Sequence, residues 1–416
     1  MSQGSELDHL FRHAAGQMVS ALTRVLGAHR VDLAEEVVQD AMVKVLEQWR
    51  YQGVPDNPRG WLYRVARNRA FDLLRRDATL AAKHALLPQE SDVASAAADE
   101  DPFADAELAM MFLCCHPSLS LDARTALTLK LVGGFSVEEI AAAFLAEPAT
   151  IAQRIVRAKR TLATVADAVE LPDATETSAR LDSVLDALYL LFNEGYDAHT
   201  GDVLVRAELC GEAIRLMRLL AAEPRSGLPH AHALLALMLF QAARLPARES
   251  DDGELVLLRD QDHARWDRTL IHEAVHHLDR SAAGERLTSW HVQAAIAAEH
   301  ALAPTYRATN WSRVLALYDQ LYALEPTPVV ALNRAIATAH VHGARAAMDA
   351  ALPLLEHPAM RRYTLLPATL AHFAELLGDA PQAAAHYRAA LRLPCNAAER
   401  RFLERRLASL EVSARA

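Results

Sequence analysis

The chain has 416 residues, with 43 Lys plus Arg against 53 Asp plus Glu, a net charge of -10, and 52% hydrophobic residues. At ~100 to 200 residues per domain this length allows about two to four cores and excludes a single small module. The acidic balance excludes a protein coated with nucleic-acid affinity, so any contact with DNA must come from local basic patches.

Ala and Leu dominate almost every segment, alternating β-branched runs are lacking, and the expected fold is all-α. Residues 8–50 read as two or three helices, the last carrying Val37, Val38, Ala41, Val45 and Trp49 on one side. Gly53, Pro55 and Pro58 then break the pattern before a run at 57–76 that holds six arginines, one acid and three aromatics. In that run Leu62, Val65, Ala66, Ala70, Leu73 and Leu74 follow helical spacing and face inward. Arg64, Arg67, Asn68, Phe71 and Arg75 share another side. Arginines anchor phosphates, an Asn amide reads base edges, and rings stack on unpaired bases, so this face has the chemistry of a nucleic-acid surface. The same pattern also fits a solvated amphipathic helix. Four helices are expected to make a first domain at 1–77.

Residues 78–105 are expected to form an acidic, flexible linker, since seven acids and no Lys or Arg lie between Leu87 and Leu108. A second helical domain is expected at 106–167. Its segment from Ser136 to Leu162 has the grammar of a helix-turn-helix: Ser136 and Glu139 form a capping box, Ala141 or Ala142 allows a close crossing, and Pro148 opens a second helix. Ile151, Ile155 and Leu162 face inward, leaving Arg154, Arg157, Lys159 and Arg160 outward, with Thr150 and Gln153 near the helix start where base edges are met. The turn at Leu145 to Glu147 lacks the glycine often found there. Cys114 and Cys115 are an adjacent pair without a CxxC spacing that reads as small buried residues rather than metal ligands, and the four cysteines of the chain fit a reducing compartment.

Leu171-Pro172-Asp173 marks a further break, and 180–416 is expected to form a third, larger block. Gly343 precedes Gly378 by 35 residues, and Pro326, Pro358 and Pro394 recur at intervals of 32 and 36. These intervals approach the ~34-residue period of tetratricopeptide repeats. In the best copy, Leu370 to Pro394, Ala374, Gly378, Ala383 and Ala390 permit close helix contact, Tyr387 fills the groove and Pro394 stops the second helix. His272-Glu273-Ala274-Val275-His276 matches HExxH, but no third ligand is evident and a chance match is easy among 19 histidines, so no metal is expected. Two polar clusters, Asn193 to Asp197 and Ala247 to Glu254 running into Arg259 to Trp266, read equally as solvated loops or as a ligand or docking site. The first residues, Met1 to His9, lack the basic start and apolar core of a secretory signal, and no apolar run approaches the ~18 residues of a membrane span. The expectation is a cytoplasmic protein without a membrane partner.

Three ordered motifs, Ala34 to Val45, Trp61 to Asn68 with Asp72, Arg75 and Arg76, and the helix-turn-helix, resemble the extracytoplasmic-function (group IV) sigma factors of RNA polymerase, in the type with a TPR-like C-terminal extension. This sequence has Glu36 where the family usually has Asp, and Met42 where an aromatic is common. The resemblance implies a non-enzymatic protein without cofactors that binds core RNA polymerase and promoter DNA. It assigns Glu36, Val37, Val38, Gln39 and Asp40 to the β′ clamp, with the β flap as a further polymerase contact. It assigns Asn57, Arg59, Trp61, Tyr63, Arg64, Arg67, Asn68 and Arg75 to the minus-10 element, with Tyr51 to Arg59 as the loop that captures a flipped base. Thr150, Gln153, Arg154, Arg157, Lys159 and Arg160 fall to the minus-35 element. The acidic linker would thread the RNA path, and the C-terminal domain would regulate the whole, alone or through an unknown regulator or ligand. The alternative expectation is a polymerase-independent helix-turn-helix regulator with a TPR sensor.

Overall fold

A computed structural model describes residues 3–52, 57–81, 102–144, 146–165, 169–196, 206–250 and 254–413. Among these residues the chain is helical, and the one extended feature is an isolated antiparallel bridge between Glu249 and Leu255. The chain divides into two units, Met1–Leu188 and Tyr189–Ala416.

The first unit begins with α1 (Gln3–Leu26), α2 (Val31–Gln52) and α3 (Pro58–Ala81). These are three helices rather than the four expected. Gly27, at φ 92, ends α1, and a single 3-10 turn at Ala28–Arg30 leads into α2. Met18, Leu22, Val37, Val38, Ala41, Leu62, Ala66 and Ala70 are buried; of the inward stripe read from the sequence of α3, Leu62, Ala66 and Ala70 pack fully while Val65, Leu73 and Leu74 are half-buried. Next come α4 (Pro102–Cys114), α5 (Leu121–Leu131), α6 (Val137–Ala143) and α7 (Pro148–Val165). Both ends of the 78–105 segment are helical, in α3 and α4, while 82–101 lies outside the described residues.

The two small helical modules pack together. α1 lies against α4 and touches α5, α7 lies against the 3-10 turn at Ala28–Arg30, and Gln17 Nε2 donates to buried Glu107 Oε2 at 3.3 Å. Gly16 marks the closest approach: a Cβ there would overlap the Val132 carbonyl oxygen. α8 (Ala174–Tyr196) runs through the expected boundary at 180. Its first half belongs to the first unit because Leu181, Val184, Leu185 and Leu188 are buried, Arg180 donates to the Phe112 carbonyl at 2.7 Å, and Arg124 donates to Ser183.

The second unit contains α9 (Ala207–Ala222), α10 (Pro229–Ala242), α11 (Arg268–Ser281), α12 (Ser289–Leu302), α13 (Trp311–Leu324), α14 (Pro328–His342), α15 (Ala344–Ala351), α16 (Leu365–Leu376), α17 (Ala380–Leu391) and α18 (Ala397–Ser413). α10 is apolar on nearly every side, and accordingly it is covered by α9, α11 and α12. From α12 onward each helix packs on its successor in sequence. The α16/α17 hairpin turns at Gly378, whose φ of 76 suits glycine, and Asp379 then caps α17 by accepting from Gln382 N at 3.0 Å. Ala374, Ala383, Tyr387 and Ala390 are buried at this contact, as their small size and spacing predict.

Candidate nucleic-acid interface

α3 begins at a capped end, since the Asn57 Oδ1 accepts the Gly60 N–H at 2.8 Å. That bond commits one side of the Asn57 amide to the helix start. Arg64, Asn68 and Arg75 are exposed, while Trp61, Tyr63 and Arg67 are half-buried. Arg67 sits over the Phe71 ring with its guanidinium carbon 5.6 Å from the ring centre, which orders both groups on the outward side. Burial raises the pKa of Tyr63 against the opposing pull of Arg67, so the phenol remains a neutral hydrogen-bonding group. Arg69 turns the other way and pairs with Asp40 of α2 at 3.5 Å. The Arg59 side chain and residues 53–56 of the expected base-capturing loop lie outside the described residues.

The α2 set divides. Glu36 and Gln39 are exposed and Asp40 is half-exposed, but Val37 and Val38 are 0% and 1% exposed. Both valines are core residues of the α1–α3 bundle and offer no surface to a partner, which corrects their place in the expected polymerase-binding set. Helical periodicity already carried the signal, since both lie on the stripe that includes Ala41.

The helix-turn-helix forms as its sequence predicts. Ser136 Oγ accepts from Glu139 N at 3.1 Å and Glu139 Oε2 accepts from Ser136 N at 2.8 Å, the reciprocal capping box at the start of α6. Ile151, Ile155, Ala158 and Leu162 bury one side of α7. Thr150, Gln153, Arg157 and Arg160 are exposed on the other, and Arg154 is partly covered by its ion pair with Asp122 of α5 at 3.4 Å. Leu145, in the turn, is outside the described residues.

Lys159 departs from the expected outward set. Its side chain is 12% exposed, and its ammonium lies between the carboxylates of Asp32, at 2.7 Å, and Glu35 at the start of α2. Glu35 is itself 13% exposed and has Lys130 of α5 at 3.7 Å. Burial opposes the charge on Lys159, but Glu35 and Asp32 outweigh it and hold its pKa above the usual lysine value. In this arrangement Lys159 is an intramolecular contact and is not offered to DNA. Sequence reasoning missed Asp32 and Glu35 as its partners; their i, i+3 spacing on one side of α2 was the available signal.

The HExxH motif is not arranged for hydrolysis. His272 and His276 are exposed on α11, and Glu273 is held by a two-pronged pair with Arg218, at 2.6 and 2.7 Å. Cys114 and Cys115 are fully buried. Burial pushes the Cys115 thiol up to about 11 and raises Cys114 as well, so both are protonated core residues.

Three family profiles match in chain order. One described as Sigma-70 region 2 covers residues 10–79, one described as Sigma-70, region 4, covers 109–162, and a family of unknown function, DUF6596, covers 180–282. An uncharacterized protein of Rhizobium meliloti (strain 1021) is 38% identical over 404 residues, 94% of either chain. The two sigma-70 matches fall within the α1–α3 bundle and within the α4–α7 segment that ends in the helix-turn-helix.

Proposed function

The chain belongs to the sigma-70 family of RNA polymerase sigma factors and directs transcription initiation; from this premise we propose that it is of the extracytoplasmic-function type, with α3 serving the minus-10 element and α7 the minus-35 element. The observation that carries the division of labour is the presence, in one unit, of two separate exposed cationic faces: Arg64, Asn68 and Arg75 on α3, and Gln153, Arg157 and Arg160 on α7. Arginines fix the phosphates, and Asn68 and Gln153 supply the amides that read base edges. Trp61 and Tyr63 beside Arg64 offer ring faces for bases that leave the stack. Glu36, Gln39 and the half-exposed Asp40 form the polar strip for the β′ clamp, and the β flap takes the region 4 module.

The packed arrangement of the two modules is a closed state. Elements about 25 base pairs apart lie ~85 Å apart along B-DNA at ~3.4 Å per base pair. A protein whose Lys159 on α7 bonds to Asp32 on α2 does not reach both elements at once. Promoter binding therefore requires α7 to part from α2, and polymerase supplies the separated surfaces that hold the open form. The second unit, on this reading a TPR-like helical-repeat domain of a cytoplasmic protein, regulates that equilibrium.

The test is transcription in vitro with purified core polymerase, comparing the full chain with residues 1–196. The cut falls after α8 because a cut at 180 removes Val184, Leu185 and Leu188 from the first unit's core. Promoter-specific transcripts from both proteins, at different levels, support the reading. Equal levels and equal promoter choice refute regulation by the second unit, and loss of transcription by Arg157→Ala alone with Arg64→Ala unaffected refutes the role of α3.

A further inference from the structure

The second unit contains an open cleft of about 830 Å³, inside the range of ~300 to 1,000 Å³ common for small-molecule sites. Its walls come from 3-10 turns at Leu258–Asp260, His263–Arg265 and Tyr306–Ala308, together with Trp311 at the start of α13 and His340 near the end of α14. The floor is an aromatic platform. Trp311 and His340 lie parallel, with centroids 3.6 Å apart and 11° between planes. Tyr306 meets Trp311 edge-on at 5.3 Å, and its hydroxyl lies 3.0 Å from His340 Nε2. His340 is exposed, so the platform presents a ring to the cleft, and burial of part of that ring together with nearby His372 keeps its pKa below the usual histidine value. A neutral heteroaromatic ring stacks on other planar rings without the cost of desolvating a charge.

The charges around this platform are unevenly engaged. Arg259 is occupied by His372 Nε2 at 3.2 Å and by Asp260 at 3.3 Å, and Asp262 accepts the Ala264 N–H at 2.8 Å to cap its own turn. Arg307 is exposed on the cleft wall and makes no ion pair among the described residues. A stacking floor beside one uncommitted guanidinium fits a flat ring that carries an anion, because the guanidinium binds carboxylate or phosphate through two parallel hydrogen bonds.

We propose that this cleft binds a small planar aromatic or heteroaromatic anion, its ring stacked on the Trp311–His340 platform and its carboxylate or phosphate on Arg307. This deepens the reading of the second unit as a regulatory domain by naming the class of ligand it senses, and its consequence for transcription rests on that reading, while binding does not.

Calorimetric titration of the full chain tests it with three probes: indole-3-acetate as a ring with a carboxylate, adenosine 5′-monophosphate as a ring with a phosphate, and inorganic phosphate alone. Saturable one-to-one heat is expected from at least one ringed anion, at least about tenfold tighter than phosphate, which is ~1.4 kcal/mol. Arg307→Glu should weaken it at least tenfold with an unchanged thermal melt, since that side chain is exposed, and His340→Ala, which also removes the stack on Trp311, should weaken it at least tenfold. The proposal is overturned if neither ringed anion gives a Kd below about 1 mM, if phosphate alone binds as well, or if both variants bind as the parent does. A ligand that binds by these criteria yet leaves promoter transcription unchanged establishes the cleft and removes the regulatory reading instead.

Discussion

Gly16→Ala is the most direct perturbation of the closed state. The added methyl lands on the Val132 carbonyl oxygen and 3.4 Å from the Gly134 nitrogen, both backbone atoms that have no rotamer by which to yield. Overpacking of this kind costs about 1 to 3 kcal/mol. The same substitution favours α1 itself, because Ala is better than Gly in a helix interior by roughly 0.5 to 1 kcal/mol. The bundle of α1, α2 and α3 should therefore remain folded while the closed state loses ground to the open one by about 5- to 150-fold. Energy transfer between dyes at Val43→Cys and Ala163→Cys, both exposed positions on α2 and α7, reads the separation once the partly exposed Cys395 is replaced. Lower transfer in free Gly16→Ala protein, and promoter-specific transcription at lower polymerase concentration, are expected. Unchanged transfer with unchanged transcription refutes the claim that the α1–α5 contact holds the modules together.

Glu35→Gln should open the same contact from the other side, since it leaves Lys159 and Lys130 facing an uncharged amide; a parallel fall in dye transfer checks it. Arg157→Ala should weaken promoter DNA binding and reduce the magnitude of its salt slope by about 1, as measured by fluorescence anisotropy across a salt series, whereas Lys159→Ala removes the bond to Asp32 and should lower dye transfer as Glu35→Gln does. Val38→Ala should destabilise the first unit by about 1 to 3 kcal/mol in urea titrations, while Gln39→Ala should stay within about 0.5 kcal/mol and act instead on polymerase pull-down. His232 and His300 have pKa values pushed down to about 4, mainly by burial, with nearby positive charge adding to it. Unfolded, both titrate near ~6.5, so the unfolded chain gains protons that the native second unit refuses. Its stability should fall as pH drops from ~6.5 towards 4, by up to about tenfold per pH unit for each buried histidine, and thermal melts across that window check the sign.

How much of this was legible in the sequence depends on whether local periodicity or distant partners decided the outcome. The inward stripe of α3, the capping box of α6, the buried row of α7 and the small-residue contact of α16 with α17 all arise from spacing within one or two helices, and each forms as read. Lys159 behaves otherwise. Its spacing puts it near the outward face of α7, and only carboxylates more than a hundred residues earlier draw it inward. Val37 and Val38 show the opposite failure: periodicity placed them in the core, yet the family motif assigned the whole run from Glu36 to Asp40 to a partner.

The boundary at α8 and the cleft of the second unit were hidden for different physical reasons. Leu171-Pro172-Asp173 does stop the chain, and Asp173 caps the start of α8, but nothing local says that the turns of this helix are claimed by two cores in succession. The cleft is built largely from 3-10 turns too short to have a period, so Arg259 to Trp266 stood out only as a polar cluster. Its aromatic floor joins residues from positions 306, 311 and 340, which meet because α13 packs on α14. The residues proposed to read DNA lie on single helices and announce themselves by pattern. Those that join the two modules, and those proposed to sense a ligand, are assembled across helices, so each can be altered without disturbing the patterned faces proposed to contact DNA. That separation is what lets Gly16→Ala and Arg307→Glu test regulation while Arg64, Asn68, Gln153 and Arg157 remain in place.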